Sequence, residues 1–335
     1  MRKKVLFICG SMNQTTQMEQ IAGELSEYDC YFTPYYGNRF LDLASRFGLA
    51  EFSVMGNKLA GRCLEYLASR DLRIDIKGGQ WRYDLAVTCS DLVIPANLLG
   101  RPVVLVQEGM TDPETFLYRL VKRFRFLPRW LASTAATGLS DCYDFFCVAS
   151  FGYRDLFIRK GVKPDKIRVT GIPNFDDCHK YLDNEFPHQR FVLACTSDAR
   201  ETFKTDSRKA FIRKAVSVAN GRQLIFKLHP NEKADRATRE INRHAPGALV
   251  YSAGSAEKMI ANCDVLITEY SSTVYVGLAL GKEVHSYFNI DELRRLMPIQ
   301  NRASARNIAE VCRGVLEGYP VSSLEDTGRA GGDVR

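Results

Sequence analysis

The sequence predicts an α/β protein of two doubly wound parallel-sheet domains, and three observations predict it. Its 335 residues exceed what a single ordinary domain of roughly 100–200 residues needs. Short apolar runs ending in small or polar residues alternate with helical patterns, as parallel strands buried on both faces do. The alternation restarts halfway along, after a Gly, Pro and Asn cluster at 171–174.

In the first half the runs are 4–9 (KVLFIC), 84–88 (DLAVT), 102–106 (PVVLV) and 145–149 (FFCVA). The first leads into a Gly10-Ser11 turn and a helical pattern over about 15–26. The second half repeats the pattern at 191–195 (FVLAC), 223–227 (QLIFK), 248–251 (ALVY) and 264–268 (DVLIT). The expected division is a domain over 1–170, a second over 171–325 and a disordered tail over 326–335. A helical pattern at 304–316 is expected to pack back across the hinge between them.

Hydrophobic residues at 45% and charged residues at 25% exclude disordered and collagen-like classes. No apolar run approaches the roughly 18–20 residues of a membrane span, and MRKKVLFICGS runs directly into a strand pattern, so a cytoplasmic protein is expected. Ten cysteines scattered without a CxxC pair read as buried free thiols rather than a zinc site. A net charge of +7 suits anionic ligands without implying nucleic acid.

Ligands of open parallel sheets bind beyond the carboxyl ends of the strands, which directs attention to four segments. Ser271 and Ser272 follow the run at 264–268 and precede a helix, so hydroxyls and first-turn N–H groups would hold a phosphate; a plain N-cap is the alternative. His229, in Lys227-Leu228-His229-Pro230, stands where Pro230 stops the ladder, placed to donate to a phosphate or to cap the strand end. Glu108 follows the run at 102–106, with Gly109 allowing a turn or a close ligand approach. It reads as a general base made less acidic by partial burial, against an N-cap or an ion pair. Over 115–131, Leu117, Leu120, Val121, Phe124 and Leu131 share one helical face, while Arg119, Lys122, Arg123, Arg125 and Arg129 supply positive charge without an acid. Such a segment suits an anionic membrane surface or a polyanionic acceptor; an ordinary solvated basic face is the alternative.

In order, QEG at 107–109, GIPNFDD at 171–177, KLHPNE at 227–232 and CDVLITEYSS from Cys263 resemble the GT-B superfamily of nucleotide-activated transferases and its relative, the non-hydrolysing UDP-GlcNAc 2-epimerase, over nearly the whole chain. The local match is to the CDP-glycerol glycerophosphotransferase type and to GT-B enzymes of CMP-activated sugars. It is carried by Lys227-Leu228-His229-Pro230 and Glu269-Tyr270-Ser271-Ser272, where Glu replaces the usual Asp. The resemblance implies two Rossmann-like domains facing across a cleft, an acceptor-side domain first and a nucleotide-donor domain second. It places His229, Lys227, Pro230, Glu269, Tyr270, Ser271 and Ser272 on the donor phosphate or nucleotide. Arg200, on the loop after the first strand of the second domain, is a further phosphate ligand by its charge. Gln107, Gly109, Gly171 and Asn174 fall in the cleft. Glu108 matches the second acid of the pair in the bacterial sialyltransferase branch, the first being replaced by Gln107.

The resemblance to the epimerase rests on VQEGM at 106–110 and VTGIPN at 169–174, whereas its His-Arg-Arg-Glu element appears only as SDARE at 197–201. The acid after its Ser-Gly-Gly turn is also missing. The expectation is metal-independent glycosyl or glycerophosphoryl transfer from a CMP-, CDP- or UDP-activated donor, with no cofactor beyond that substrate. The acceptor would be a hydroxyl, such as a glycan or a lipid-linked one, in cell-envelope polysaccharide synthesis. Peripheral contact with the inner membrane face through 115–131, and no nucleic acid, complete the expected partners. A UDP-GlcNAc 2-epimerase and a non-catalytic nucleotide-sugar-binding module are the alternatives.

Overall fold

The computed structural model describes residues 2–34, 57–92, 100–124, 127–197 and 207–321. Strands β1 (Lys4–Ile8), β2 (Asp29–Thr33), β3 (Leu85–Thr88), β4 (Val103–Val106), β5 (Phe145–Val148) and β6 (Ile167–Val169) pair in parallel in the order β2-β1-β3-β4-β5-β6. The inner strands β3 and β4 are buried along their whole length, which is why they read as uninterrupted apolar runs rather than alternating ones. The strand order reverses between β1 and β3, so the carboxyl ends around that point form a crevice where a ligand can enter.

The core of this sheet takes Met18 and Ile21 from the helix Met12–Gly23 and Ile308, Ala309, Val311 and Cys312 from the helix Ser304–Glu317. The last described helix therefore belongs with the first sheet. Asp176 fixes its start: Oδ1 accepts the N–H groups of Asn301 and Arg302 at 2.9 and 2.8 Å, and Oδ2 that of Ser304 at 2.8 Å. Of these only the Ser304 N–H belongs to the first turn, whose N–H groups a helix leaves without internal partners; the other two hold the chain leading into it. One compact unit is accordingly Met1–Asp176 with the chain from Asn301 onward, and the other is Asp177–Gln300. This corrects the expected division at 170 and the assignment of 301–325 to the second domain, because the apolar stripe of the returning helix is buried on the first sheet. The expected tail at 326–335 lies outside the described residues.

In the second unit, β7 (Val192–Cys195), β8 (Leu224–Lys227), β9 (Leu249–Tyr251), β10 (Val265–Thr268) and β11 (Glu283–His285) are all parallel, in the order β11-β10-β7-β8-β9. Here the order reverses between β7 and β10. Phe211, Ile212 and Ala215 of the helix Arg208–Ala219 and Ile241 of the helix Ala234–His244 pack on Val192, Phe226 and Val265. The short helix Val274–Ala279 sits close on the sheet because Gly277 has no side chain: a Cβ there would lie 2.7 Å from Leu266 Cδ2.

The ten cysteines are unpaired, eight of them buried and Cys142 exposed. Among the described residues, no helix is long and apolar enough to cross a membrane.

Candidate functional site

At the reversal point of the first sheet, Ser11 caps the helix Met12–Gly23 by accepting the Gln14 N–H at 3.2 Å. A hydroxyl that accepts from an N–H keeps its own proton for another acceptor, and Ser11 gives it to Glu108 Oε1 at 3.0 Å. Gln14 Nε2 donates to Glu108 Oε2 at 2.7 Å, and the Gly10 N–H donates to Gln14 Oε1 at 2.8 Å, which fixes the orientation of that amide. Both oxygens of Glu108 are thus held, and by neutral groups. Burial pushes the Glu108 carboxyl above the usual carboxylate range, with the bonds from Gln14 and Ser11 pulling partly the other way. Neither an N-cap nor an ion pair describes this residue among the described contacts.

Gln107 is buried and acts as a strut: Oε1 accepts the Ala149 N–H at 2.9 Å and Nε2 donates to the Gly109 carbonyl at 2.7 Å. Gly171, at φ +77°, turns the chain after β6. Asn174 Nδ2 then donates to the Asn13 carbonyl at 2.9 Å, beside the same helix start. Gln107, Gly109, Gly171 and Asn174 therefore shape the edge on which Glu108 stands.

In the second unit, β8 delivers His229 to its carboxyl end. The His229 N–H donates to Thr196 Oγ1 at 3.1 Å and to Glu232 Oε2 at 3.0 Å, fixing the backbone there. The Asn231 N–H donates to His229 Nδ1 at 3.3 Å; because an N–H cannot accept, Nδ1 bears the lone pair and the proton of the neutral ring sits on Nε2. Glu232 is anchored by Arg208, whose Nη2 lies 2.7 Å from Oε1, with the two side chains only 2% and 1% exposed. Thr196 also donates its hydroxyl to Glu232, and Arg208 donates to the Ser197 carbonyl at 3.0 Å. Pro230 is exposed beyond this anchor.

Lys227 departs from expectation. It is buried, its ammonium donates to the Leu228 carbonyl at 2.8 Å, and burial lowers its pKa. It braces the strand end instead of presenting a charge to a phosphate.

Glu269, also buried, accepts the Ser197 hydroxyl across the β7–β10 reversal point, and its carbonyl accepts from Ser286 Oγ at 2.9 Å. Tyr270 is exposed and meets the rings of Tyr287 and Phe288 edge-on at 5.5 and 4.9 Å. Ser271 and Ser272 are half-buried beside it. The helix that follows has six residues, and its Val274 and Tyr275 N–H groups already donate to the Ser271 and Ser272 carbonyls at 3.3 and 3.0 Å. The expected first-turn amide site for an anion is thereby corrected, since these amides are engaged and the Ser271 hydroxyl itself lies 2.9 Å from Thr273 Oγ1. Arg200 lies outside the described residues.

Over 115–131 the expected face is also corrected. The helix Phe116–Arg123 buries Tyr118 and Val121 against Ala132, Ala135 and Ala136 of the 3₁₀ segment Arg129–Ala136. Leu117, Phe124 and Leu131, expected to share one face with Val121, are exposed while Val121 is buried. The small alanines leave room for the Tyr118 ring, which takes the inward position. Arg129 turns toward the Asp91 carbonyl at 3.5 Å, and Arg125 lies outside the described residues.

Sequence reasoning missed Ser11 and Gln14 as orienters of Glu108, and Thr196, Arg208 and Glu232 as the anchor of His229. Ser11, a capping residue directly after the first strand, was the one local signal available.

No family model matches the chain, and no curated protein matches it. Solved structures do. A Listeria monocytogenes protein assigned as a UDP-N-acetylglucosamine 2-epimerase shares 12% identity at a TM-score of 0.60, covering 96% of this chain and 99% of that one. The Neisseria meningitidis UDP-GlcNAc 2-epimerase, solved with UDP-GlcNAc, shares 12% identity at 0.56, with 92% and 99% covered. A variant of the wall teichoic acid polymerase TagF shares 10% identity at 0.52, with 94% and 90% covered. At such identities the likeness speaks to the fold alone. With its two parallel sheets, each reversing strand order at one point, the chain has the GT-B fold of two Rossmann-like units.

Proposed function

We propose that the chain is a transferase that moves a glycosyl or glycerophosphoryl group from a nucleotide-activated donor to a hydroxyl acceptor. The observation that carries this reading is Glu108, a partly buried carboxylate with raised proton affinity, held at the reversal point of its sheet by the neutral Ser11 and Gln14. A general base needs that state: oriented, with no cation beside it among the described residues, and with its proton affinity raised. In this reading Glu108 takes the proton of the acceptor hydroxyl as it attacks.

Donor cleavage leaves negative charge on the departing phosphate, so donors fixed in advance favour the transition state. His229, with its Nε2 proton, is assigned to that phosphate, and the Ser271 and Ser272 hydroxyls share the task with Arg200. The neighbours support a nucleotide-linked substrate: the Neisseria enzyme was solved with UDP-GlcNAc, and TagF was soaked with CDPG. The TagF likeness also supports a role in cell-envelope polysaccharide synthesis.

The higher TM-score of the Listeria epimerase favours a second reading, a nucleotide-sugar 2-epimerase. It predicts interconversion of UDP-GlcNAc and UDP-ManNAc without an acceptor, which a transferase would not perform. The first test is thermal stabilisation by CMP, CDP, UMP, UDP and GDP and their sugar or glycerol conjugates. A ligand at 100 times its Kd should add about 2.7 kcal/mol. The expected result is a cytidine or uridine nucleotide whose effect disappears in His229→Ala; stabilisation by none of them would overturn the donor assignment.

A further inference from the structure

We propose that the helix Phe116–Arg123 and the 3₁₀ segment Arg129–Ala136 form a docking surface for an anionic lipid bilayer. Their shared seam is already filled by Tyr118, Val121 and three alanines, so the apolar side chains left outside are not waiting for this core. Phe116 is 74% exposed and Trp130 46%, and Leu117, Phe124 and Leu131 are exposed with them. Phe116, Arg119, Leu120 and Arg123, spaced three and four apart, lie on the side of the helix opposite Tyr118 and Val121. Lys122 is also exposed, and no acid interrupts residues 115–131.

Large apolar side chains interleaved with long cationic ones suit the boundary between headgroups and acyl chains: the rings enter the apolar layer while the cations reach the phosphates. A soluble polyanion would engage the cations and leave Phe116 and Trp130 in water. The surface is also braced. The Ser133 and Thr134 hydroxyls donate to Asp112 Oδ2 at 2.6 and 2.9 Å, and the Asp112 N–H returns to Thr134 Oγ1 at 2.8 Å. Lys160 donates to the Ala135 carbonyl at 2.9 Å, with its ammonium 5.3 Å from the Tyr118 ring. Phe116 follows Glu108 by eight residues, so the surface adjoins in sequence the group assigned to deprotonate an acceptor. The inference stands whether or not that assignment does, because it is tested without nucleotide.

The test is co-sedimentation of the full chain with phosphatidylcholine vesicles, with and without phosphatidylglycerol. Binding is expected only with the anionic lipid and should weaken as salt rises. Each neutralised cation should lower the partition coefficient about fivefold, so Arg119→Gln with Arg123→Gln should lower it at least tenfold. In a Trp81→Phe background the emission of Trp130 should shift to the blue on anionic vesicles, a readout that needs no disruption of the patch. Phe116→Ser should abolish binding while leaving the melting temperature near that of the parent. Equal sedimentation with neutral vesicles, an unshifted Trp130, or binding to soluble polyphosphate but not to anionic vesicles would each overturn the proposal.

Discussion

Two carboxylates, one in each unit, receive opposite treatment. Glu108 is held by a hydroxyl and an amide, and burial raises its pKa. Glu232 faces a guanidinium at 2.7 Å and accepts from a backbone N–H and a hydroxyl as well. A charge balanced by Arg208 has little left to do but hold position, and what it holds is the turn carrying His229. An oriented carboxylate with no such balance keeps its proton affinity available for chemistry. Burial alone does not mark a reacting group; the partners decide whether the site is a brace or a base.

Substitution of the two acids should separate their roles most strongly. Glu108→Gln should lower turnover by about 10²–10⁴-fold, the worth of a general base, while nucleotide stabilisation persists. The fold should tolerate it. The Ser11 hydroxyl can rotate to accept from the new amide, so unfolding free energy at neutral pH should change by no more than about 1 kcal/mol. Glu232→Ala should do the reverse and destabilise the second unit by about 3–5 kcal/mol in urea unfolding, since it strands a buried guanidinium. If Glu232→Ala proves as mild as a surface change, the ion pair does not brace the turn and the contrast fails.

A double variant sharpens the point. Arg208→Met with Glu232→Leu removes both charges together, and should recover most of the stability lost in the single variant, because apolar replacements of a buried pair are often neutral or better. It should not recover nucleotide binding, since the His229 N–H loses an acceptor. Recovery of both would show that His229 needs no such anchor.

The same division explains what was legible in the sequence. LAVT, VVLV, VLAC and VLIT announce strands because helices cover both faces of each, so every position is apolar. The edge strands β2 and β11, DCYFT and EVH, are half-exposed and polar at several positions, and no apolar run announced them. The helix Ser304–Glu317 was visible as a pattern and was expected to pack back, and it is buried on the first sheet; only the boundary drawn at 171–325 missed it, because an apolar stripe records that a face is buried, not which sheet buries it. Glu108 and His229 were readable because each follows a strand. Their partners were not, since Ser11 and Gln14 stand 97 and 94 residues from Glu108 and only folding brings them together. Lys227 shows the opposite error, a residue type suited to phosphate whose side chain the strand turns inward.

The smallest expected effect is the most diagnostic. Ser11→Ala removes an N-cap, worth about 1 kcal/mol of stability, and it also removes a bond that lowers the Glu108 pKa. The sign follows from the proton's preference. A carboxyl whose folded pKa is raised binds its proton more tightly in the folded state, so its favourable contribution is fully present at low pH and is lost as pH rises through the folded value. Without Ser11 that value rises further. The acid limb of kcat/KM should move to higher pH, and the loss of stability on raising the pH should extend over a wider range. Ser255→Ala is the control: Ser255 caps the helix Ala256–Asn262 by accepting the Lys258 N–H at 3.2 Å in the other unit. It should cost similar stability and leave the acid limb where it was. If both variants leave that limb unmoved, Glu108 does not set it, and the neutral setting around Glu108 is only another brace.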